Sequence, residues 1–558
     1  MSFLKCCIRL PVFAPLLLAA GAPLLRAQNP PSPIHFHLVQ LPFRLENDGT
    51  PAKNAPETMA GGVAVFDYNG DGRPDIFFTN GANIRTLKKD SPKYWDHLYR
   101  NDGEGHFTDV TKQAGLQGSG YDVGVAVGDY LNNGCPDLFV VGVYRNTLYR
   151  NNCDGTFTDV TKQAGLANRV DPKYGPLWSV AAAWVDVNND GLLDLFVVNY
   201  MKWSFTDKAL CSYRGVADYC SPRYYAPVPD QLYLNNGNGT FTDVSKAWGI
   251  RQYPGKGMGI GVADYDLDGR QDLFVTNDSS YNFLFHNLGS KFEEVAFPAG
   301  VALPEDGNFV SGMGLDFRDI NNDGYPDIGY VALNNQTFPL YLNNKNGGFT
   351  DITASSGIRD LSMNMAGYCI GFYDFDNDGW KDMFVSRGGV ESVPAPGVPI
   401  DQRNTVFHNP GQTGSWTAWT AAAGFTAAPP ERHRGCAFGD FSGNGRIDVV
   451  ATALNADAEL WMNATVNSNH WLDIALHGTR SNRDGIGARI MVVTKHLTQY
   501  NHMTTSVGYA SSSDGPVHFG LGPDTRAELV KIWWPSGTVQ EIHDIEGDRV
   551  VKVTEPKF

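Results

Sequence analysis

The chain has 558 residues, 42% of them apolar, with 61 glycines and a formal charge of −16. That balance provides for a large folded core and excludes both a disordered chain and a polybasic nucleic-acid binder. About a third of the 60 Asp and Glu residues fall at the recurrent loop positions described below, so the acidity marks binding sites more than it marks a cationic partner.

Residues 1–27 read as a signal peptide. Lys5 and Arg9 precede an apolar stretch ending in Arg26-Ala27-Gln28, with cleavage expected after Ala27. Pro11, Pro15 and Pro23 argue against a retained membrane span, and no other segment is long enough to cross a bilayer as a helix. Cys6 and Cys7 lie ahead of the apolar run, so a lipoprotein cysteine is not indicated. Export places the mature chain in a secreted or periplasmic, oxidising compartment. Residues 33–40 are then a free apolar stretch. They are expected to close the last unit of the repeat as its outer strand, removing an exposed sheet edge.

From residue 62 a single unit returns seven times, each around a nine-residue loop starting at Asp67, Asp129, Asp186, Asp264, Asp319, Asp374 and Asp440. An apolar run precedes the loop and Asp-Leu-Phe-Val or its like follows. Leu-Tyr-x-Asn and Phe-Thr-Asp-Val complete the unit. Four short β-rich runs separated by Asn-Gly and Asp-Gly turns predict a four-stranded antiparallel sheet. Seven such sheets in series predict an all-β, seven-bladed β-propeller over residues 28–467. The first strand alternates in size: Val63, Val125, Ala182, Ile260, Leu315, Ile370 and Cys436 on one face, Gly62, Gly124, Ala181, Gly259, Gly314, Cys369 and Gly435 on the other. Small residues there let neighbouring units interlock near the axis.

The loops carry side-chain oxygens at positions one, three, five and nine, and glycine at position six, where a tight bend calls for positive φ. Hard cations take six to eight oxygens, combining carboxylates with backbone carbonyls and water, so the expected ion is Ca2+. Position seven would contribute only its carbonyl. Five loops have the full set: Asp67, Asn69, Asp71, Arg73 and Asp75; Asp186, Asn188, Asp190, Leu192 and Asp194; Asp264, Asp266, Asp268, Arg270 and Asp272; Asp319, Asn321, Asp323, Tyr325 and Asp327; Asp374, Asp376, Asp378, Trp380 and Asp382. The loops from Asp264 and Asp374, with four carboxylates each, are expected to fill first. Two loops are depleted. One has Leu131 in place of a ligand beside Asp129, Asn133 and Asp137; the other has Asp440, Ser442, Asn444 and Asp448. Position nine is the closing acid and strands flank the loop, so it is not an EF-hand.

Six cysteines follow residue 27. Cys211 and Cys220 bracket one insertion and are expected to pair, as are Cys135 and Cys153, whose loops emerge on one face of the second unit. Cys369 and Cys436 lie on first strands of adjacent units and read as small buried thiols. The insertion at 200–230 carries Tyr200, Trp203, Phe205, Tyr224 and Tyr225, either a partner surface or a packed cover around its own cystine.

Residues 468–558 resolve into a further β-rich unit, with runs at 471–476, 488–494, 504–509 and 528–534 that predict a small sandwich or barrel. The repeats resemble the FG-GAP/VCBS repeats of integrin α-subunit propellers. The terminal unit, with Asn482-Arg483-Asp484-Gly485-Ile486-Gly487, His518-Phe519-Gly520-Leu521-Gly522 and Trp534-Pro535-Ser536-Gly537, resembles the ASPIC/UnbV domain. Together they are similar to the cartilage acidic protein family. The resemblance implies integrin-type calcium loops and an extracellular adhesive or interaction role, with a protein or glycan partner. The alternative is an enzyme working at the axis, drawing on His97, Glu305, Asp306, Glu431, His433 or Arg434, although Gly-x-Ser-x-Gly, His-Glu-x-x-His and phosphate-loop motifs are all missing. A deep axial pocket with converging acids would mark the enzyme; a filled axis favours binding.

Overall fold

The computed structural model describes residues 32–557 except 168–169, 207–209, 395–396 and 412–413, so residues 1–27, read above as a signal peptide, lie outside the described residues. The turn residues of each repeat fold it into an antiparallel sheet. In the first, Val63–Phe66, Asp75–Phe78, His97–Gly103 and His106–Asp109 pair in chain order. Among the described residues the pattern recurs with first strands Asp122–Gly128, Ser179–Val185, Gly257–Ala263, Leu315–Arg318, Gly367–Tyr373 and His433–Gly439. In the seventh sheet the fourth strand is Phe36–Arg44, antiparallel to Asp457–Asn463, with Phe36 opposite Asn463 and Gln40 opposite Glu459. Among the described residues no helix is long and apolar enough to cross a membrane.

Each first strand packs against the next, and His433–Gly439 packs against Val63–Phe66. Small residues make this approach possible: a Cβ on Gly314 would stand 2.6 Å from the Tyr368 carbonyl oxygen, inside any real contact distance, while Gly314 N–H donates to that same oxygen at 2.9 Å. A set of asparagines at or near the ends of the third strands links the units. This asparagine, whether its run opens with Leu-Tyr or with Leu-Phe, Val-Phe or Leu-Trp, donates its side-chain Nδ2 to a carbonyl in the preceding unit: Asn151 to Tyr68, Asn235 to Tyr130, Asn287 to Val187, Asn343 to Tyr265, Asn409 to Ile320 and Asn463 to Phe375. Asn101 to Phe441 completes the cycle at 3.1 Å.

The terminal unit forms a three-stranded sheet, with His470–His477 between Val517–Gly522 and Arg549–Thr554, and a four-stranded sheet in which Arg489–Val493 lies between Thr498–His502 and Arg526–Trp533. Glu555 ties its start to its end, accepting from the backbone N–H groups of Thr479, Arg480 and Ser481 at 2.8–2.9 Å. Burial would raise this carboxyl, but the Ser536 hydroxyl and the three amides hold it at about 2. A folded-state pKa below the unfolded one gives stability that is complete above the unfolded value and lost as pH falls toward 2. Glu555→Gln should therefore flatten the acid limb of stability between about pH 4.5 and 2, as read by urea midpoints.

Three cystines are present. Cys135–Cys153, whose loops share a face of the second unit, and Cys211–Cys220, which bracket the insertion, pair as expected. The reading of Cys369 and Cys436 as thiols is overturned: they form a bridge, Cα to Cα 5.7 Å, between the first strands of the sixth and seventh units. Interlocked strands bring the two small-face positions within bonding reach, which sequence separation hides. The bridge closes a segment of 67 residues. Cys369→Ala with Cys436→Ala should cost about 4 kcal/mol by loop-closure entropy, measurable as a lowered denaturant midpoint.

The insertion at 200–230 also departs from its partner-surface reading. Tyr200, Trp203 and Tyr225 are 4, 2 and 8% exposed and belong to the main core. Tyr200 Oη donates to Asp278 at 2.7 Å, and Trp203 packs edge-on against Trp178. Of the five aromatics named, Phe205 and Tyr224 remain exposed, at 40 and 70%, as does Tyr213 of the same insertion, at 41%. The rings are consumed in covering apolar strand ends, so replacing Trp203 or Tyr225 with alanine removes core.

Candidate metal centres and the surface that covers them

Each nine-residue loop joins a first strand to a second, with its closing aspartate as the first residue of the second strand; Phe66 pairs with Asp75 across the loop from Asp67. The leading carboxylate folds the loop around itself. Asp67 accepts from Gly70, Asp71 and Gly72 N–H groups at 2.8, 3.1 and 2.7 Å, and Asp264 and Asp374 accept from the residues at positions five and six of their loops. Position six is left-handed throughout, with φ of 85° at Gly72 and 95° at Gly379. Position four is left-handed too, at Leu267 and Asn377 among others, a requirement hidden because Leu267 gives no turn signal.

The closing aspartate is aimed by the Asn motif. Its Oδ1 accepts from the backbone N–H of that Asn, as in Asn101 to Asp75 at 2.7 Å and Asn343 to Asp327 at 2.8 Å, and its Oδ2 accepts from position two, as in Tyr68 to Asp75 at 3.1 Å. Each site is thus built from three strands. In the loops from Asp264 and Asp374 the oxygens of positions one, three and five lie within 4.8 Å of one another. Two further groups of the same closeness add His286 to Asp266 and Asp272, and His408 to Asp376 and Asp382. Sequence reading missed both histidines, because they lie on the third strand, away from the loop.

The electrostatics of these sites are unfavourable without a cation. Burial, aided by Asp67 and Asp71, pushes Asp75 up to about 7; burial with Asp186 and Asp190 pushes Asp194 to about 8. Asp264 rises to about 7, and Asp378 likewise through burial and Asp376. Asp374 and Asp382 are driven well above the carboxylate range, and Asp376 Oδ1 is buried with no hydrogen-bond partner. Converging oxygens, a partnerless buried lone pair and mutual repulsion fit a hard divalent ion, which the carboxylates named above and the position-seven carbonyl would hold.

Around Asp129 the terminal unit intrudes. Asp484 Oδ2 accepts the Asp129 N–H at 2.9 Å, Arg483 N–H donates to Asn132 at 2.8 Å, and Arg483 Nε lies 4.0 Å from Asp129 Oδ2. Burial and the charge of Asp129 raise Asp484 to about 6. The same unit reaches other loops. His518 Nε2 is 2.9 Å from Asn377 Oδ1, Asn469 Nδ2 donates to the Asp376 carbonyl at 2.9 Å, and buried Lys381 bridges the carbonyls of Asp319 and Tyr500 at 2.8 Å each. The loop surface is therefore partly an interface within the chain.

Residues of the terminal unit also run among the first strands. The run at 504–509, expected to be a strand of the terminal sheets, instead leaves them. Ser511–Ser513 pairs in parallel with Val63–Phe66. Serine hydroxyls satisfy first-strand amides: Ser511 Oγ accepts from Val63 at 3.2 Å, Ser512 from Val127 at 3.1 Å and Ser513 from Phe438 at 3.0 Å. Ser506 donates to the Ile260 carbonyl at 2.7 Å and Gly508 N–H to Leu315 at 2.7 Å. The residues weighed for catalysis fall in separate places, apart from Glu431 and Arg434, which line one cavity with Asp401 and Arg432. His97 meets Asp109 at 3.0 Å on outer strands, Glu305 is exposed, His433 is held by Glu459 at 3.0 Å, and Arg434 is fully buried over Tyr368. Away from the loops, Tyr281, Phe297 and Phe309 form an exposed aromatic group, with Tyr281 4.7 and 4.8 Å from the other two ring centres.

Comparison with known proteins adds the following. The FG-GAP-like repeat profile matches residues 67–140, 129–197, 215–275, 264–330 and 319–385, more than half of the chain, and the ASPIC and UnbV profile matches 478–558. Cartilage acidic protein 1 of Homo sapiens is 26% identical over 388 residues, covering 68% of this chain and 54% of that protein. The Mus musculus protein of the same name is also 26% identical, covering 68% and 55%. The chain thus spans about half the length of these relatives. A solved structure of an Agrocybe aegerita lectin, titled for recognition of non-reducing terminal N-acetylglucosamine, aligns at 16% identity and a TM-score of 0.40, over 76% of this chain and 98% of that one.

Proposed function

The chain belongs to the FG-GAP-like repeat family and carries an ASPIC and UnbV unit, and from that premise we propose an exported, calcium-loaded, seven-bladed β-propeller over residues 28–467, capped by the unit at 468–558 and acting as an extracellular or periplasmic binding and adhesion module. The observation that carries the metal reading is the buried convergence at Asp374, Asp376, Asp378 and Asp382, with Asp376 Oδ1 unpartnered. The asparagine cycle and the packed first strands support closure of seven blades. Three cystines support an oxidising compartment. The central segment packed among the first strands supports binding over axial catalysis. A protein or glycan partner would then use the side away from the metal loops, where Tyr224, Phe205 and the Tyr281 group are exposed.

Calorimetric titration of the metal-stripped chain with Ca2+ should resolve a tight class of two sites that disappears in Asp266→Asn with Asp376→Asn. A profile with no high-affinity class would sink the metal reading. Capture of partners from the exported fraction, performed with and without chelator, tests the binding role; capture unaffected by chelation would separate that role from calcium.

A further inference from the structure

Only the two loops with an aspartate at position three are accompanied by a histidine. His286 and His408 occupy the place on the third strand where the other units have Arg100, Arg150, Leu234, Leu342 and Met462. His286 Nδ1 lies 3.1 Å from Asp272 Oδ1 and 3.7 Å from Asp266 Oδ2; His408 Nδ1 lies 2.9 Å from Asp382 Oδ1 and 4.0 Å from Asp376 Oδ2. Ligands about 2.1 Å from a tetrahedral ion stand roughly 3.4 Å apart, a value inside this range. The Asp376 side chain, whose residue is 6% exposed, has its Oδ1 buried without a partner. Both histidine side chains keep about a fifth of their surface exposed, at 18 and 20%, which leaves an entry route.

An imidazole adds little to a calcium site, since Ca2+ takes oxygen ligands. Nitrogen joined to two carboxylates suits first-row divalent transition ions. We propose that His286 with Asp266 and Asp272, and His408 with Asp376 and Asp382, let these two loops take a divalent transition ion of the zinc or manganese class in competition with Ca2+ for the same carboxylates, a selectivity that the other five loops lack. The inference rests on the metal reading of these same loops but requires more of them. If the histidines instead only hydrogen-bond the closing aspartates, they steady a calcium ligand and confer no selectivity.

The test uses the full chain, Zn2+ and Co2+ as ions, and His286→Gln, His408→Gln and the double variant. Two equivalents of Co2+ should bind with absorption bands of nitrogen ligation, one equivalent in each single variant. In the double variant affinity should fall about 100-fold, while the Ca2+ titration is retained. In the unaltered chain, Zn2+ but not Ca2+ should protect His286 and His408 from diethyl pyrocarbonate, mapped by mass spectrometry, a readout independent of how the variants fold. Co2+ binding that is equal in the double variant, or Zn2+ that protects neither histidine, overturns the proposal. If the chain binds Ca2+ yet shows no histidine-dependent ion, this inference alone falls; if it binds neither, the metal reading falls with it.

Discussion

Chelation should lower the melting temperature of the full chain more than any single substitution. A ligand at a hundredfold excess over its Kd stabilises by about 2.7 kcal/mol per site, so five loops filled as proposed would together contribute on the order of 10 kcal/mol. The cause is specific: stripped of cations, Asp374, Asp378 and Asp382 must either repel one another in a buried site or take up protons, and both oppose folding. The loss should extend to the terminal unit, because Asn377, the Asp376 carbonyl and Asp129 are also its docking points. Hydrogen exchange at 480–484 and 518–522 should rise on chelation along with the loops themselves. A midpoint unmoved by EDTA, or exchange confined to the loops, would contradict this account.

Tyr509→Ala should be the most damaging single replacement outside the loops, at about 3–5 kcal/mol for a fully buried aromatic. Tyr509 lies within the central segment, is fully buried, meets the Tyr368 ring edge-on at 5.2 Å and donates its hydroxyl to the Met59 carbonyl at 2.8 Å. Removing it leaves a cavity at the centre of the ring and weakens the attachment of the terminal unit. Tyr509→Phe, which loses only the hydroxyl, should cost about 1–2 kcal/mol by leaving the Met59 carbonyl unsatisfied. Urea unfolding followed separately by near-ultraviolet dichroism and by protease cleavage near residue 466 should coincide in the unaltered chain and separate in Tyr509→Ala. Coincident transitions in the variant would show that this segment does not couple the two parts.

Much of the chain was legible before any coordinates, because repetition supplies internal comparison. Seven loops in register expose the positions that bear side-chain oxygens, the invariant glycine and the third-strand asparagine, and period-two alternation marks the first strands. What the asparagine does was not legible: its amide aims the closing aspartate while its side chain reaches a carbonyl in the preceding unit, and hydrogen bonds between units leave no mark in a repeat read one copy at a time. The insertion aromatics misled for a related reason. Composition distinguishes a ring from a charge but not a covered ring from a bare one, and Trp203 is covered by Trp178 and its own loop.

Local chemistry therefore determined most of the strands, the loop geometry and the carboxylate set of each loop, since these depend on residues within a few positions of one another. Tertiary structure alone decided that Cys369 meets Cys436, that His286 and His408 join the two richest acid clusters, and that residues 504–513 leave their own sheets to pack among the first strands. Those outcomes follow from which unsatisfied amides and small faces come together when the ring closes, and contacts across hundreds of residues are set by that closure rather than by any neighbouring pattern.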